Sequence, residues 1–462
     1  MYSLGMKTPA CKEEVTKKWL QTILSHYESK STPGTSVVIT HFEVNPGIKP
    51  GENFNSDLVK IAVDAGINDG NGPDAMTKTY NLVAKFMQGS GFHRELVKAT
   101  RGPLKEAMIY TDVIPVLNRF QAEICDSSNR LDIPSCIYSV CKEGEFALVM
   151  EDIRSLGYVN NDKHKGLNHN QMLIAADRLA MLHAVSFSYN KCHDFKTKFP
   201  AFKYGIPKQM GLFITVFFDL CVKTLKKINY NDSLQEKLQR IRPILRHKIM
   251  SLLVAGKHQI ECLCHVDYWN NNLMFKSETN DGITDPDSIM LVDWGSTAWH
   301  NPVLDILYLI YTSTTLDYRK KYREEILKRY HDEFTAITNR LGAPASSWTF
   351  EAFKEECQKA RIYGAVMGMM VNLITLANLS EKKQRHESRA SSSTLSWRIS
   401  CRLGKIMSPI FFSKFSEPLI CASVKKWIGP LFDEVGRGEN EILNRRFFDI
   451  LNEANEDGIF DT

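Results

Sequence analysis

One stretch of this 462-residue chain gathers side chains of the types and spacing that do chemistry. It reads His265-Val266-Asp267-Tyr268-Trp269-Asn270-Asn271-Asn272-Leu273-Met274-Phe275. Eighteen residues after Phe275 comes Asp293, inside Met290-Leu291-Val292-Asp293-Trp294-Gly295. An Asp and an Asn five apart, then an Asp after a short apolar run, suit phosphoryl transfer. Asp267 can orient and deprotonate an attacking hydroxyl. Asn272 and Asp293 offer the oxygen donors that Mg²⁺ prefers when it sits against nucleotide phosphates. The flanking runs Leu273-Met274-Phe275 and Ile289-Met290-Leu291-Val292 can anchor the loop as two short strands. Taken singly, each polar residue here reads as a turn or capping residue. The ordered set is what marks a site.

Rival chemistries lack their residues. No Gly-x₄-Gly-Lys-Ser/Thr is present, so a P-loop is excluded, and there is no His-Glu-x-x-His. Cys262, Cys264 and His265 invite a zinc reading, but Cys-x-Cys lacks the usual two-residue separation and no second pair follows. A buried strand explains the thiols better. Lys and Arg number 58 against 53 Asp and Glu, a net charge of +5 without a polybasic tract, which speaks against a nucleic-acid partner. Eleven unpatterned cysteines point to reduced thiols and a cytoplasmic setting. Residues 1–11 show no basic segment followed by an apolar run, so no signal peptide is expected. No membrane span is expected either: the longest apolar run, 211–222, is short and carries Asp219.

These residues need elements to hold them. Residues 11–28 have helical spacing, with Val15, Trp19, Leu20, Ile23, Leu24 and Tyr27 on one face. Residues 36–43, 57–65, 78–87, 135–142 and 145–151 read as strands, and the span near 101–121 as a helix whose end Pro115 makes uncertain. Beyond Glu151-Asp152 the texture turns helical, at 169–190, 209–227, 233–254, 303–311, 318–341 and 350–378. A strand-like island at 259–275 and 288–293 interrupts it. The pattern is α+β: a small antiparallel-sheet lobe followed by a larger helical lobe. Three units are expected: an N-terminal helical extension (1–30), a nucleotide-binding lobe (31–150), and a helical lobe with the catalytic loop and acceptor site (151–462). The polar, Ser-rich run 380–396 reads as an exposed, mobile surface loop.

The stretch 265–275 resembles the His-Gly-Asp-x-Trp-x-x-Asn-hydrophobic-hydrophobic-Phe motif of the ecdysteroid kinase-like, or choline-kinase-like (CHK), family. These proteins are relatives of choline kinases and aminoglycoside phosphotransferases. Val292-Asp293-Trp294 is similar to the family's Val-Asp-Phe/Trp-Gln segment. Weaker likenesses run through about residues 15–375: Gly51-Glu52-Asn53-Phe54, Val83-Ala84-Lys85, Glu106 with Tyr110 and Pro115, Val149-Met150-Glu151-Asp152, and Leu179-Ala180-Met181-Leu182-His183-Ala184.

The resemblance implies the bilobal protein-kinase-like fold, with ATP and Mg²⁺. Lys85 would contact the α- and β-phosphates and pair with Glu106, although alone it reads as a solvent-facing strand lysine. Gly51 and Asn53 would belong to a loop over the phosphates, or to an ordinary hairpin turn. Backbone groups of Met150, Glu151 and Asp152 would meet adenine, or the acids would cap the next helix. Asp305 would brace the catalytic loop. The implied acceptor is a hydroxyl of an ecdysteroid-like steroid or hydroxylated xenobiotic. Tyr204, Phe213, Phe217, Phe218, Tyr363, Met367, Met369 and Met370 could line its cleft or simply fill a core. Trp269 and Trp299 could form a cage for choline, a less favoured acceptor. Two departures stand out: Val266 replaces the usual Gly, and Gly295 the usual Gln. They leave open a second reading, a pseudokinase that binds nucleotide or steroid without turnover. No Ala-Pro-Glu segment or activation loop follows Asp293, which weighs against a protein kinase.

Overall fold

The computed structural model describes residues 4–47, 57–68, 76–86, 101–125, 130–142, 145–203, 209–254, 256, 259–278, 282–377 and 417–461. Gly51, Asn53, Tyr204 and the run 380–396 lie outside them.

The N-terminal half is built on five strands: β1 (Ser36–Pro46), β2 (Asp57–Asn68), β3 (Met76–Phe86), β4 (Cys136–Lys142) and β5 (Glu145–Glu151). They form one antiparallel sheet in the order β1-β2-β3-β5-β4. Alternation sends Val59, Ile61, Val63 and Ala65 of β2, with Tyr80, Leu82, Ala84 and Phe86 of β3, to one face. There they meet Trp19, Leu20, Ile23 and Leu24 of helix α1 (Lys17–Glu28). Trp19 sits 6.1 Å from Phe86 and edge-on to Tyr138, so α1 is packed into this lobe's core. The same alternation turns Lys85 to the opposite face.

That face receives α2 (Gly102–Met108), a π turn (Ile109–Val113) and α3 (Ile114–Ile124). Pro115 has no N–H for the residue-111 carbonyl, and its ring crowds that carbonyl. The helix therefore widens to one π turn ahead of it and continues, rather than ending.

The second half is helical: α4 (His169–His193), α5 (Phe195–Lys198), α6 (Gln209–Lys227), α7 (Asp232–Leu252), α8 (Val303–Ser313), α9 (Leu316–Arg340), α10 (Phe350–Leu376), α11 (Glu417–Arg437) and α12 (Glu441–Glu456). Helix α8 is buried along its whole length, as an almost wholly apolar sequence requires. Helix α10 approaches it closely at Gly364 and Gly368, where an added Cβ would lie 2.6 and 2.9 Å from Tyr311. Two small sheets interrupt the helices. One pairs β7 (Cys262–Cys264) with β10 (Ala298–His300), and the other joins β6 (Val159–Asn160), β8 (Leu273–Lys276) and β9 (Ser288–Leu291). This is the bilobal kinase-like build. Among the described residues, no helix is long and apolar enough to cross a membrane.

Candidate active site

Asp267 and Asn272 lie on the connection from β7 to β8, and Asp293 follows β9 closely. Pairing of β8 with β9 brings the two loops side by side, and the Val292 N–H closes them by donating to the Asn272 carbonyl at 3.1 Å. From the other lobe, Lys85 reaches in: its Nζ lies 2.5 Å from Glu106 Oε1 and 3.2 Å from Asp293 Oδ1. Lys85, Glu106, Asp267, Asn272 and Asp293 thus form one constellation, although Lys85 and Asp293 are 208 positions apart in sequence.

Its electrostatics follow from burial and charge. Lys85 at 7% exposure is disfavoured as a cation by burial, but Asp293 and Glu106 outweigh that and raise its pKa. Lys85 in turn holds Asp293 below its ordinary value. Burial pushes Glu106 up against the pull of Lys85. Burial, with Asp293 nearby, raises Asp267 to about 6. Two carboxylates thus share the one ammonium, with Asp267 close enough to Asp293 to feel its charge, an excess of negative charge that a divalent cation would relieve. The Asn272 amide donates from Nδ2 to both the Asp267 carbonyl and Asp267 Oδ2, each at 2.9 Å, which leaves its oxygen as the ligand atom. With Asp293 that makes two hard oxygen donors, a set that fits Mg²⁺.

The loop is held from below. The Asp305 carboxylate accepts the His265 N–H at 2.6 Å and the Val266 N–H at 2.9 Å. Val266 has φ +71°, a left-handed conformation that glycine takes freely and a β-branched residue resists. The Asp305 acceptor offsets that strain. His265 is buried and kept neutral by burial; its Nε2–H donates to the Val292 carbonyl at 3.1 Å. Asp293 is itself left-handed, at φ +65°. Gly295 is not positively twisted, and a Cβ there would meet Gly102 first, at an ordinary 3.7 Å.

The structure bears on several readings that the sequence left as alternatives. The N–H groups of Glu151 and Asp152 already donate to the Ser135 and Asn81 carbonyls, at 3.0 and 2.8 Å. They are not open donors for adenine, and the Asp152 side chain caps the following turn through the Arg154 N–H. Met150 lies within the ladder, between Val83 and Cys136. Phe217, Phe218, Tyr363, Met367, Met369 and Met370 are buried in the helical core. Trp299 stacks on Phe195 at 4.9 Å and is 2% exposed, so it offers no cage wall. The imidazole beside Cys262 and Cys264 is that of His183, not His265. Its ring nitrogens already face the Tyr330 hydroxyl and Asp305.

One site residue escapes a motif reading. Tyr308 on α8 donates its hydroxyl to Asp267 Oδ1 at 2.8 Å. The only advance signal is its position three residues after Asp305, one helical turn on.

A family model described as "Ecdysteroid kinase-like family" matches residues 50–343, well over half of the chain. The comparison with curated proteins finds no match. Among solved structures, the chain is similar to a putative aminoglycoside phosphotransferase from Ralstonia eutropha JMP134. The identity is 12%, over 88% of this chain and 98% of that one, with a TM-score of 0.39. It is also similar to the GDP complex of wild-type aminoglycoside 2'-phosphotransferase-IIIa, at 11% identity over 85% and 98% of the two chains, with a TM-score of 0.36.

Proposed function

The chain belongs to the ecdysteroid kinase-like family, and from that premise we propose that it is a small-molecule kinase, moving the γ-phosphoryl group of ATP to a hydroxyl. The acceptor we favour is an ecdysteroid-like steroid or a hydroxylated xenobiotic. The observation that carries the reading is the convergence of Lys85, Glu106, Asp267, Asn272 and Asp293.

In this reading Glu106 holds the Lys85 ammonium toward the α- and β-phosphates. Asn272 and Asp293 would hold Mg²⁺, which when bound neutralises phosphate charge. Asp267 orients the acceptor hydroxyl and takes its proton. The new bond joins the acceptor oxygen to the γ-phosphorus, the bond from that phosphorus to the β–γ bridging oxygen breaks, and the proton leaves Asp267 to water. The reaction is assigned to the cytoplasm, where the ten free thiols among the described residues stay reduced.

The pseudokinase reading rests on Val266 and Gly295. Asp305 holds the first in place, and the second sits without strain, so neither favours loss of turnover. The test is thermal shift with Mg²⁺ and ATP, followed by ADP release across a panel of polyhydroxylated sterols. A Mg²⁺-dependent stabilisation lost in Asp293→Ala, with sterol-dependent ADP release abolished in Asp267→Asn, is expected. Absence of any shift at millimolar ATP would transfer the weight to the non-catalytic reading.

A further inference from the structure

A cavity of about 360 Å³ lies between the end of α1, the π turn Ile109–Val113 and strand β4. It is the size of a small-molecule site, at the lower end of that range. Lys85, Glu106, Asp267, Asn272 and Asp293 take no part in its walls. Strand β4 ends the order of the sheet, so the cavity opens along an edge. Tyr138 and Val140 of β4 belong to the core beneath α1, and alternation turns Ser139 the other way, toward the π turn. Ser139 and Tyr110 both line the cavity. They are 7% and 4% exposed, and each keeps a buried hydroxyl with no hydrogen-bond partner. A buried hydroxyl left unpaired costs free energy, and two of them in one cavity wall mark the place of a polar ligand.

The mouth carries both signs of charge. Lys30, just past α1, and Asp112, in the π turn, are exposed and line it. Both act on the Cys136 thiol of the wall: burial pushes that thiol up to about 12, Lys30 draws it down and Asp112 adds to the rise. A simple anion would be repelled by Asp112, a simple cation by Lys30, and a neutral polyol would answer neither charge. We infer that this cavity is a second ligand site, for a small zwitterion of the α-amino-acid type: its carboxylate meets Lys30 and the Tyr110 and Ser139 hydroxyls, its ammonium meets Asp112, and its binding steadies the helix that carries Glu106. Tyr110 is the link to that helix. It follows Glu106 by four residues, about one turn, and stands in the π turn, where the helix is loosest. Burial pushes its phenol well above the ordinary value, with the Glu106 and Asp293 charges adding to the rise, so the hydroxyl keeps its proton and donates. The link to Glu106 rests on the reading that Lys85 and Glu106 hold the nucleotide; the site itself does not.

Titration calorimetry on the full-length protein without nucleotide tests the site. The probes are the common L-amino acids one by one, with acetate, methylamine and glycerol as controls. At least one amino acid should bind at millimolar concentration or below, and the controls should not. Lys30→Met, Asp112→Asn and Ser139→Ala, each with a wild-type melting curve, should each weaken binding by about tenfold. A saturating amino acid should then tighten ATP binding by about fivefold. No heat from any amino acid, equal affinity in all three variants, or controls that bind as well would overturn the site. Amino-acid binding with unchanged ATP affinity would overturn the link to Glu106. Amino-acid binding with no ATP binding at all would instead remove the kinase reading, on which only that link rests.

Discussion

Replacing Asp305 by Asn should unlatch the catalytic loop. The carboxylate accepts two successive backbone N–H groups, of His265 at 2.6 Å and Val266 at 2.9 Å. An Asn offers one oxygen and one NH₂ in the same space. One bond survives in weakened, uncharged form, and the other becomes a donor facing a donor. Hydrogen bonds to a buried charge contribute about 1.5–3 kcal/mol each, so the two backbone bonds account for a loss of about 2–4 kcal/mol, and the buried His183 ring, 3.3 Å from Asp305 Oδ2, loses its anionic partner as well. At about 2 °C per kcal/mol for a lobe of this size, Tm should fall by roughly 4–8 °C. Val266 sits at φ +71°, and its N–H bond to Asp305 is what offsets that conformation. Freed of it, the loop should relax and carry Asp267 away, lowering turnover by about a hundredfold. Melting curves and amide hydrogen exchange at residues 265 and 266 are the assays. Adding Val266→Gly to Asp305→Asn should recover part of the stability, since glycine takes this conformation without strain. A melting point within about a degree of wild type, where several are expected, with slow exchange at both amides, would refute the reasoning.

Three further outcomes rest on the same packing and charge. Gly368→Ala should lower the urea midpoint by the equivalent of about 1–3 kcal/mol. Its Cβ would stand 2.9 Å from Tyr311 Cβ and 3.0 Å from the Tyr311 carbonyl, neither of which can swing away. An unchanged midpoint would show that α8 and α10 have room to separate. Lys85→Met leaves Glu106 buried without its cation and should cost about 3–5 kcal/mol; Lys85→Met with Glu106→Gln should recover stability but not the ATP-induced thermal shift. Turnover should fall as pH drops through about 6, where Asp267 gains a proton and ceases to act as a base, and should level off above it. A limb near the ordinary aspartate value of about 4 would mean that burial and Asp293 do not act on Asp267 as the geometry requires.

What can be read from the sequence divides along a physical line. Strands and helices are legible where the period of burial is local: alternation over 57–65 and helical spacing over 169–190 need only neighbouring residues. The loop 265–275 is legible because phosphoryl transfer needs Asp and Asn a fixed few residues apart. The readings that the sequence leaves as alternatives depend on distant chain. Whether Phe217, Met369 or Tyr363 fills a core or a cleft depends on which helices press against them, and spacing is the same in both cases. The hinge donors at Glu151 and Asp152 are spent on Ser135 and Asn81, which no local pattern announces. Helices α11 and α12 fall outside the expected set, although Ile420, Val424, Ile428, Leu431 and Val435 keep helical spacing.

Val266 shows the line most clearly. As a sequence feature it is a departure that argues against activity, because a β-branched residue stands where the motif has Gly. The structure keeps the left-handed backbone and supplies the compensation 39 residues away, in an Asp305 carboxylate already committed to the neighbouring amide. One more hydrogen bond to the same acceptor costs little extra ordering, since Asp305 is fixed by helix α8. A local defect is therefore weak grounds for calling a site inactive when its brace lies outside the motif. The same helix carries Tyr308, so a lesion in α8 should disturb Asp267 more than a conservative change at position 266 does.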